Sequence, residues 1–288
     1  MPLAQALATV GTMPHTHSHG GEHADLLDLE AHVLGGYLEE LVGWTGDLAP
    51  ADVRTVVDVG AGTGVGAVAL ARRFDAAEVV ALDRSELMLE RTLGAAARAG
   101  VAGRVRAVPA DLDTAWPSSV DRADVVWASS SLHEVADPER LLRDVLAVLP
   151  PGGVLVVVEI DGLPQVLPDD VGDGLGERCT AALLDAGWNS HPDWTPHLEQ
   201  AGFEPADRRT VVSGSAADPA VTSRFARAWL RRMRGGLDGR LPAADLAVLD
   251  RLLADTGPGA VLDGPDLVVR GSRTAWAAHC PISSGGSR

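Results

Sequence analysis

The sequence predicts an α/β fold: a doubly wound, mostly parallel seven-stranded sheet with helices on both faces. Two observations support this prediction. Between residues 54 and 160, short apolar runs alternate with helical patterns. The runs at 123–128 and 153–160 are apolar at nearly every position, so both faces of these strands are apolar. Such strands are typical of parallel sheets buried between helices.

The N-terminal region predicts an arm followed by a helix. Residues 1–24 contain proline, glycine and four histidines without apolar periodicity, which indicates a flexible arm. After this arm, apolar residues recur at steps of three and four, as an amphipathic helix requires. We expect a cap helix over 25–46 whose apolar face holds Leu26, Leu29, Val33, Tyr37 and Leu41.

Residues 47–163 predict the core domain, in which strands and helices alternate. The strands are short apolar runs, and the helices are longer amphipathic stretches. Consecutive strands joined by helices pair in parallel. The predicted strands cover 54–59, 78–82, 104–109, 123–128 and 153–160, and the predicted helices cover 64–73, 85–99 and 138–148.

Residues 164–288 depart from this alternation. A stretch rich in glycine, proline and aspartate at 161–176 is followed by two helical patterns before the next strand. We expect the helices of this region to form a lid and its two strands to complete the sheet. The predicted helices cover 177–187, 193–201, 218–234 and 243–254, and the predicted strands cover 206–213 and 266–278.

The composition argues against several partners. The chain has 40 acidic residues against 24 basic residues, all of them arginine, and a formal charge of −16. This charge repels a phosphate backbone, so we expect neither nucleic acid nor an anionic membrane as a partner. Cys179 and Cys280 are too far apart in sequence for a ligand cluster. These features predict a cytoplasmic protein without a metal. We expect a monomer or a homodimer.

The most specific local signal is the run from Val56 to Gly64. Here an apolar strand containing Asp58 leads into glycines at three alternate positions. Glycine lets the backbone turn sharply and approach a ligand closely. The helix that follows presents free N–H groups, which bind anionic groups. The run therefore predicts a ligand with an anionic group at residues 60–64.

Polar residues also follow the next three predicted strands. Asp83 ends the second strand, where a carboxylate can accept hydrogen bonds from both ribose hydroxyls of an adenosine. Asp111 and Leu112 follow the third strand, and a loop at 129–134 follows the fourth. Open α/β sheets bind ligands at the carboxyl ends of their strands, so we expect these residues to form one site.

Residues 54–160 resemble the class I S-adenosylmethionine (SAM)-dependent methyltransferases, in particular the group that methylates small molecules. The Asp-x-Gly-x-Gly-x-Gly run, Asp83, Asp111, the 129–134 loop and the Leu-Pro-Pro-Gly-Gly turn at 149–153 match this family in order and spacing. The resemblance implies a Rossmann-like methyltransferase fold, SAM as cofactor and S-adenosylhomocysteine (SAH) as product. The implied cofactor contacts are Asp58, Gly60, Ala61, Gly62, Gly64, Asp83, Arg84, Met88, Asp111, Leu112 and Ser129.

The acceptor site has several candidate residues. His133 carries an imidazole that can act as a general base, and a structural role of this loop histidine is an equal alternative. Trp188 and Trp194 fall in the predicted lid, where they either wall the acceptor pocket or pack in the core. Tyr37 in the cap helix and Glu159 at the end of the fifth strand complete the set.

Three functions are compatible with these patterns. The resemblance favours methyl transfer to an oxygen, nitrogen or carbon atom of a small-molecule acceptor, as in specialised metabolism. The glycine run also fits an NAD(P)-dependent oxidoreductase, and a catalytically silent SAM-binding protein would carry the same residues. The N-terminal His15, His17 and His19 can face one side of an extended segment, but no carboxylate accompanies them, so we expect no metal site there.

Overall fold

The computed structural model describes residues 20–215, 218–257 and 259–282. The strands are β1 (Thr55–Val59), β2 (Glu78–Asp83), β3 (Val105–Pro109), β4 (Val125–Ser129), β5 (Val154–Ile160), β6 (Glu204–Gly214) and β7 (Arg270–His279). The helices are α1 (Gly20–Leu34), α2 (Gly36–Leu48), α3 (Val65–Arg73), α4 (Glu86–Arg98), α5 (Pro138–Val148), α6 (Leu175–Asp185), α7 (Trp194–Ala201), α8 (Pro219–Gly236) and α9 (Ala243–Ala254).

The seven strands of the described residues form one sheet in the order β3-β2-β1-β4-β5-β7-β6. The first five strands are parallel, and β7 runs antiparallel between β5 and β6. This architecture confirms the predicted doubly wound fold. The strand order reverses between β1 and β4, and such a switch point opens a crevice at the carboxyl edge of the sheet.

Helices cover the sheet on both faces because its central strands are apolar on both sides. Val56 and Trp127 face one layer, which includes α2 and α3. Val57 and Trp276 face the other layer, which includes α5 and α7. All four side chains are at most 2% exposed. Burial of this kind supplies most of the stabilising free energy of a sheet with two helical layers.

Polar residues fix the beginnings of two helices beside the site. The Ser85 hydroxyl accepts a hydrogen bond from the backbone N–H of Met88, which caps α4. The Asp137 carboxylate accepts one from the backbone N–H of Arg140 at 2.9 Å, and Pro138 occupies the first turn of α5. Both helices therefore begin within one residue of their predicted starts.

The N-terminal prediction needs two corrections. Residues 20–24 belong to α1, because Ala24 is fully buried and continues the apolar face of the helix. The predicted single cap helix is instead two helices separated at Gly35, where a Cβ atom would lie 2.1 Å from the carbonyl oxygen of Ala31. The histidines at 15, 17 and 19 lie outside the described residues.

The helices of the predicted lid pack in two different places. α6, α8 and α9 share a third apolar core with α1, in which Phe225 and Leu175 are fully buried. In contrast, α7 packs beside α5 on the sheet, with Leu198 in the second sheet layer. The prediction that α7 belongs to the lid is therefore wrong, because its apolar residues pack on the face formed by β5 and β7.

The described helices do not reach the combination of length and hydropathy that a bilayer-crossing segment needs.

Candidate active site at the carboxyl edge of the sheet

The glycine run forms a turn into which larger residues do not fit. Gly60, Gly62 and Gly64 have φ values of 69°, 54° and 89°, in the left-handed region that favours glycine. A Cβ atom on Gly64 would lie 2.5 Å from Cα of Thr92. The Thr92 hydroxyl donates a hydrogen bond to the Gly62 carbonyl oxygen at 2.9 Å. The turn is thus held against α4 by close backbone contacts.

Asp58 is a buried carboxylate behind this turn. Its side chain is 2% exposed, and Oδ2 has no hydrogen-bond partner among the described residues. Burial and the nearby Asp83 carboxylate raise the pKa of Asp58 to about 7, against the opposing hydrogen bond from the Ala67 N–H. Ionised Asp58 would therefore be stabilised by a cationic group of a ligand.

Asp83 links the turn to α4. One of its oxygens accepts the backbone N–H of Gly62 at 2.9 Å, and the other accepts the N–H of Ser85 at 2.9 Å. Ala61 and Met88 are each 8% exposed in the same region, while Arg84 is exposed. Each carboxylate oxygen of Asp83 keeps a further lone pair that can accept a ligand hydroxyl.

Asp111 lies at the exposed end of β3. Its carboxylate accepts the N–H of Asp113 and the Thr114 hydroxyl, both at 3.1 Å. The Asp113 carboxylate turns away and accepts the N–H of Ala136 at 2.8 Å. The half-buried Leu112 packs at the margin of the second sheet layer. Asp111 and Leu112 come directly after Ala110, whose backbone N–H donates to the carbonyl oxygen of Asp83 at 3.0 Å.

The loop after β4 is fixed to both neighbouring strands. Ser129 ends β4, and Ser130 has a positive φ of 52°, which is uncommon for a residue with a side chain. The Ser130 N–H donates to the Val158 carbonyl oxygen at 2.7 Å, and the Ser131 hydroxyl donates to the Val59 carbonyl oxygen at 2.6 Å. These bonds set the position of His133.

His133 and Glu159 form a pair at the ends of β4 and β5. Nδ1 of His133 lies 2.8 Å from Oε2 of Glu159, and Nε2 lies 3.4 Å from Oε1 of Glu134. Burial opposes the charge of the ring, but hydrogen bonds to Glu134 and Glu159 outweigh it and raise the pKa of His133 to about 10. At neutral pH this histidine is a proton donor, so the predicted general base is present only at alkaline pH.

α1 covers the carboxyl edge of the sheet from α4 to β7. Asp25 and Asp28 form ion pairs with Arg91 of α4 at 2.7 Å and 2.9 Å. Leu27 lies over the glycine turn, 3.7 Å from where a Cβ atom of Gly62 would be. Farther along α1, Glu30 forms an ion pair with Arg273 of β7. The helix is therefore a roof over the candidate site.

Arg273 was not among the predicted site residues. Its guanidinium carbon lies 4.0 Å from the centroid of the Tyr37 ring, so that Tyr37, Glu30 and Arg273 form one cluster under the cap helices. The available sequence signal was the Arg-Thr pair directly before the apolar run 275–278. That signal does not identify a partner in α1, which lies at the other end of the chain.

The two candidate tryptophans of the lid differ. Of the two roles predicted for Trp194, the structure agrees with core packing and not with a wall of the acceptor pocket, because the side chain is 1% exposed in the second sheet layer. It is buried because α7 packs on the sheet. Trp188 is half-buried beside the third core, with the guanidinium of Arg232 5.5 Å from its ring centroid. Asn189 and His191 in the adjoining loop both contact the carbonyl oxygen of Ile160.

Metal ligands do not cluster in the described part of the chain, where no three histidine, cysteine, aspartate or glutamate side chains come together in a group able to hold an ion.

Comparison with known proteins identifies the family. Residues 56–153, from β1 to the turn before β5, match the methyltransferase domain family. A demethylmenaquinone methyltransferase of Clavibacter sepedonicus is 39% identical over 194 residues, which cover 61% of this chain and 76% of the relative. A trans-aconitate 2-methyltransferase of Variovorax paradoxus is 38% identical over 133 residues, 46% of each chain.

A solved structure agrees with the fold. A protein of Anaeromyxobacter dehalogenans assigned as a type II methyltransferase superposes with a TM-score of 0.56 at 22% identity, over 84% of this chain and 96% of that one. The long match to the Clavibacter enzyme extends well beyond the glycine run, so a nicotinamide-dependent oxidoreductase no longer accounts for the sequence. The chain belongs to the class I SAM-dependent methyltransferases, in the group that methylates small molecules.

Proposed function

We propose that this methyltransferase holds SAM across the ends of β1, β2 and β3 and binds a small-molecule acceptor between His133 and the roof helix α1. One observation carries the cofactor half of the proposal. Asp58 is buried behind a glycine turn with an oxygen that lacks a partner within the described structure. The methionine part of SAM has an ammonium group, which fits this carboxylate, and a carboxylate, which fits the N–H groups at the start of α3.

The remaining cofactor contacts follow from position. The spare lone pairs of Asp83 suit the two ribose hydroxyls. Asp111 and Leu112 follow β3, whose last residue Pro109 pairs with Asp83, and suit the amine and the ring of adenine. Ser129 at the end of β4 lies between the cofactor half and His133. When bound, SAM supplies an electrophilic methyl group on its sulfonium, so the protein contributes mainly position and exclusion of water.

His133 acts on the acceptor as a hydrogen-bond donor, and the proton that a hydroxyl acceptor loses on methylation passes to water at the exposed side of the site, beside Glu134. Glu159 holds the ring through Nδ1, which leaves Nε2 near the exposed Glu134 and able to turn to an acceptor oxygen. A protonated imidazole donates a hydrogen bond but accepts none, so we infer that it faces an oxygen of the acceptor and that the methylated atom is this oxygen or a carbon beside it. Three statements stay predictions: that the enzyme acts in specialised metabolism, that it is located in the cytoplasm, and that it is a monomer or a homodimer.

Calorimetric titration with SAH tests the cofactor half. We expect Asp83→Asn to weaken SAH binding about 10- to 100-fold, because hydrogen bonds to a charged partner contribute about 1.5–3 kcal/mol. The control Asp121→Asn removes an exposed carboxylate outside the site and should bind SAH as the wild type does. Equal affinities of all three proteins would refute the assignment of Asp83.

Transfer of labelled methyl groups tests the acceptor half. We expect SAH to accumulate with oxygen-bearing acceptors from a panel of quinols, phenols, organic acids and amines. Binding of SAM without turnover of any panel member would indicate the silent SAM-binding protein instead. Preferential methylation of amines would contradict the assigned role of His133.

A further inference from the structure

The junction between the roof helix and the sheet contains a buried ion pair. Arg273 of β7 and Glu30 of α1 have side chains that are only 6% and 12% exposed. The pair joins residues 243 positions apart in the chain. Arg273 also lies over the ring of Tyr37 from α2. Two cap helices are thus connected to the last described strand at a single guanidinium.

This guanidinium has a hydrogen-bond donor without a partner. Nε of Arg273 is buried and finds no acceptor in the described residues. Arg273 pairs in register with Ile160, the last residue of β5, so it lies at the ligand-binding edge of the sheet. A buried N–H without an acceptor is rare in native structures and calls for a specific explanation. An oxygen of a bound ligand would supply the missing acceptor.

The charges around this donor are already balanced. The cations Arg273 and His133 are paired with the carboxylates of Glu30 and Glu159. Glu134, next to His133, adds a further negative charge at the exposed side. A carboxylate on the acceptor would therefore enter as an uncompensated buried charge, which is costly. A carbonyl, hydroxyl or ether oxygen accepts the Nε–H bond without this penalty.

We propose that the Glu30–Arg273 pair makes the enzyme select uncharged, oxygen-bearing acceptors such as phenols, quinols and ketones over carboxylic acids. This inference rests on the proposed function, since it places the acceptor under α1. Arg273 donates from Nε to the neutral acceptor oxygen, and Glu30 cancels the charge that would otherwise attract an acid. Nε is closed off from solvent, so this contact requires a displacement of Tyr37 or α1 when the acceptor binds.

Matched probes test the selectivity. 1,4-Naphthalenediol and 1,4-dihydroxy-2-naphthoate differ by one carboxylate, as do catechol and 3,4-dihydroxybenzoate. Each is titrated calorimetrically into wild-type protein saturated with SAH, and each is assayed as an acceptor with SAM. We expect the neutral member to bind at least about tenfold more tightly in each pair, as one uncompensated charge requires.

Two variants separate recognition from a merely structural ion pair. Glu30→Gln leaves the charge of Arg273 unpaired, so we expect the preference for the neutral probe to fall at least about tenfold, mainly through tighter binding of the acid. The double variant Glu30→Gln with Arg273→Met removes both charges and avoids an isolated buried carboxylate. The double variant should bind the neutral probe about tenfold less tightly than the wild type does, and its affinity for the acidic probe should not increase.

Glu78→Gln is the matched control, because Glu78 forms an ion pair with Arg106 at the other edge of the sheet. It should behave as the wild type. SAH affinity and unfolding temperature are measured for every variant. If the wild-type protein does not bind SAH, the proposed function itself is refuted. With SAH bound, the selectivity proposal fails if no probe binds, if the acids bind as tightly as the neutral probes, or if both variants weaken all probes equally.

Discussion

The proposed cofactor half of the site, at the ends of β1, β2 and β3, depends on backbone geometry, whereas the proposed acceptor half depends on side chains from distant parts of the chain. In the cofactor half, Gly62 and Asp83 are 21 residues apart and meet through a backbone N–H. In the acceptor half, Glu30 and Arg273 are 243 residues apart and meet through their side chains.

This difference separates two tasks. A turn of glycines tolerates little change in sequence, because left-handed φ values and close backbone contacts exclude larger residues. Side chains on separate elements can be exchanged one at a time without altering the strands that carry them. We therefore expect the backbone turn to bind the cofactor, which a family shares, and the exchangeable side chains to bind the acceptor, which varies among its members. Both lie at the carboxyl edge of the sheet.

The largest expected effect comes from the backbone of the cofactor half. Gly64→Ala should destabilise the protein by about 3 kcal/mol or more, because the new Cβ meets Cα of Thr92 at 2.5 Å in a left-handed turn. Gly62→Ala should cost only about 1–2 kcal/mol, since its nearest neighbour is a leucine methyl group at 3.7 Å. Urea unfolding measures both, and similar losses would argue against backbone packing as the determinant.

The pH dependence of cofactor binding should come from Asp58. Its raised pKa of about 7 means that the folded apoprotein binds this proton more tightly than the unfolded chain. The stability linked to this proton is complete below pH 4 and is lost as the pH rises through 7. The ligand's ammonium group needs the ionised form, so SAH affinity should fall about tenfold per pH unit below pH 7 and level off above it.

Calorimetry between pH 5.5 and 8 measures this slope. Asp58→Asn should bind SAH weakly and with little change over this range, whereas Asp121→Asn should keep the slope of the wild type. A wild-type affinity that is constant over the range would show that Asp58 does not face the ammonium group.

In the acceptor half, His133 should give an alkaline loss of stability. Its folded pKa of about 10 lies above the ordinary value of 6.5, so its contribution is complete below pH 6.5 and disappears as the pH rises through 10. After allowance for solvent screening we expect a loss of about 1–2 kcal/mol. Urea unfolding at pH 7 and pH 10 should show this loss in the wild type, a smaller one in Glu159→Gln and none from this source in His133→Gln. An unchanged pH dependence in His133→Gln would overturn the charged state assigned to the ring.

The smallest expected effect lies where the two halves meet. Arg91 of α4 is about one-third exposed and pairs with Asp25 and Asp28 of the roof helix. Arg91→Gln should cost about 0.5 kcal/mol and speed SAH dissociation by a small factor that shrinks at high salt. Arg106→Gln, which breaks an ion pair away from the roof, is the control for stopped-flow measurement of dissociation. Equal SAH dissociation rates in both variants would show that the ion pairs of α1 do not slow the release of SAH.

Sequence patterns predicted the core domain well. The starts and ends of β1 to β5 agree with the structure to within two residues, because apolar runs and glycine or aspartate boundaries are local signals. The glycine run and Asp83 were found for the same reason. Their roles as cofactor contacts still await the SAH titrations.

The acceptor half was predicted less completely. Nothing near Arg273 in the sequence indicates that β7 inserts between β5 and β6, yet this pairing brings it under α1. The placement of Trp194 was not predictable for the same reason. Its helical pattern is clear, but whether α7 packs in the lid or on the sheet depends on which apolar face of the sheet remains uncovered. The positions of Arg273 and Trp194 depend on which distant strands and helices pack together. No local pattern in a single sequence indicates that packing.

The insertion of β7 also orders events during synthesis. Translation makes the glycine turn, Asp83 and Asp111 early, and they need no residue that follows β5. Glu30 emerges from the ribosome before all of them but meets its partner only when β7 has been translated and has entered the sheet. A nascent chain can thus form the glycine turn before the Glu30–Arg273 pair, which joins α1 to β7, is able to form.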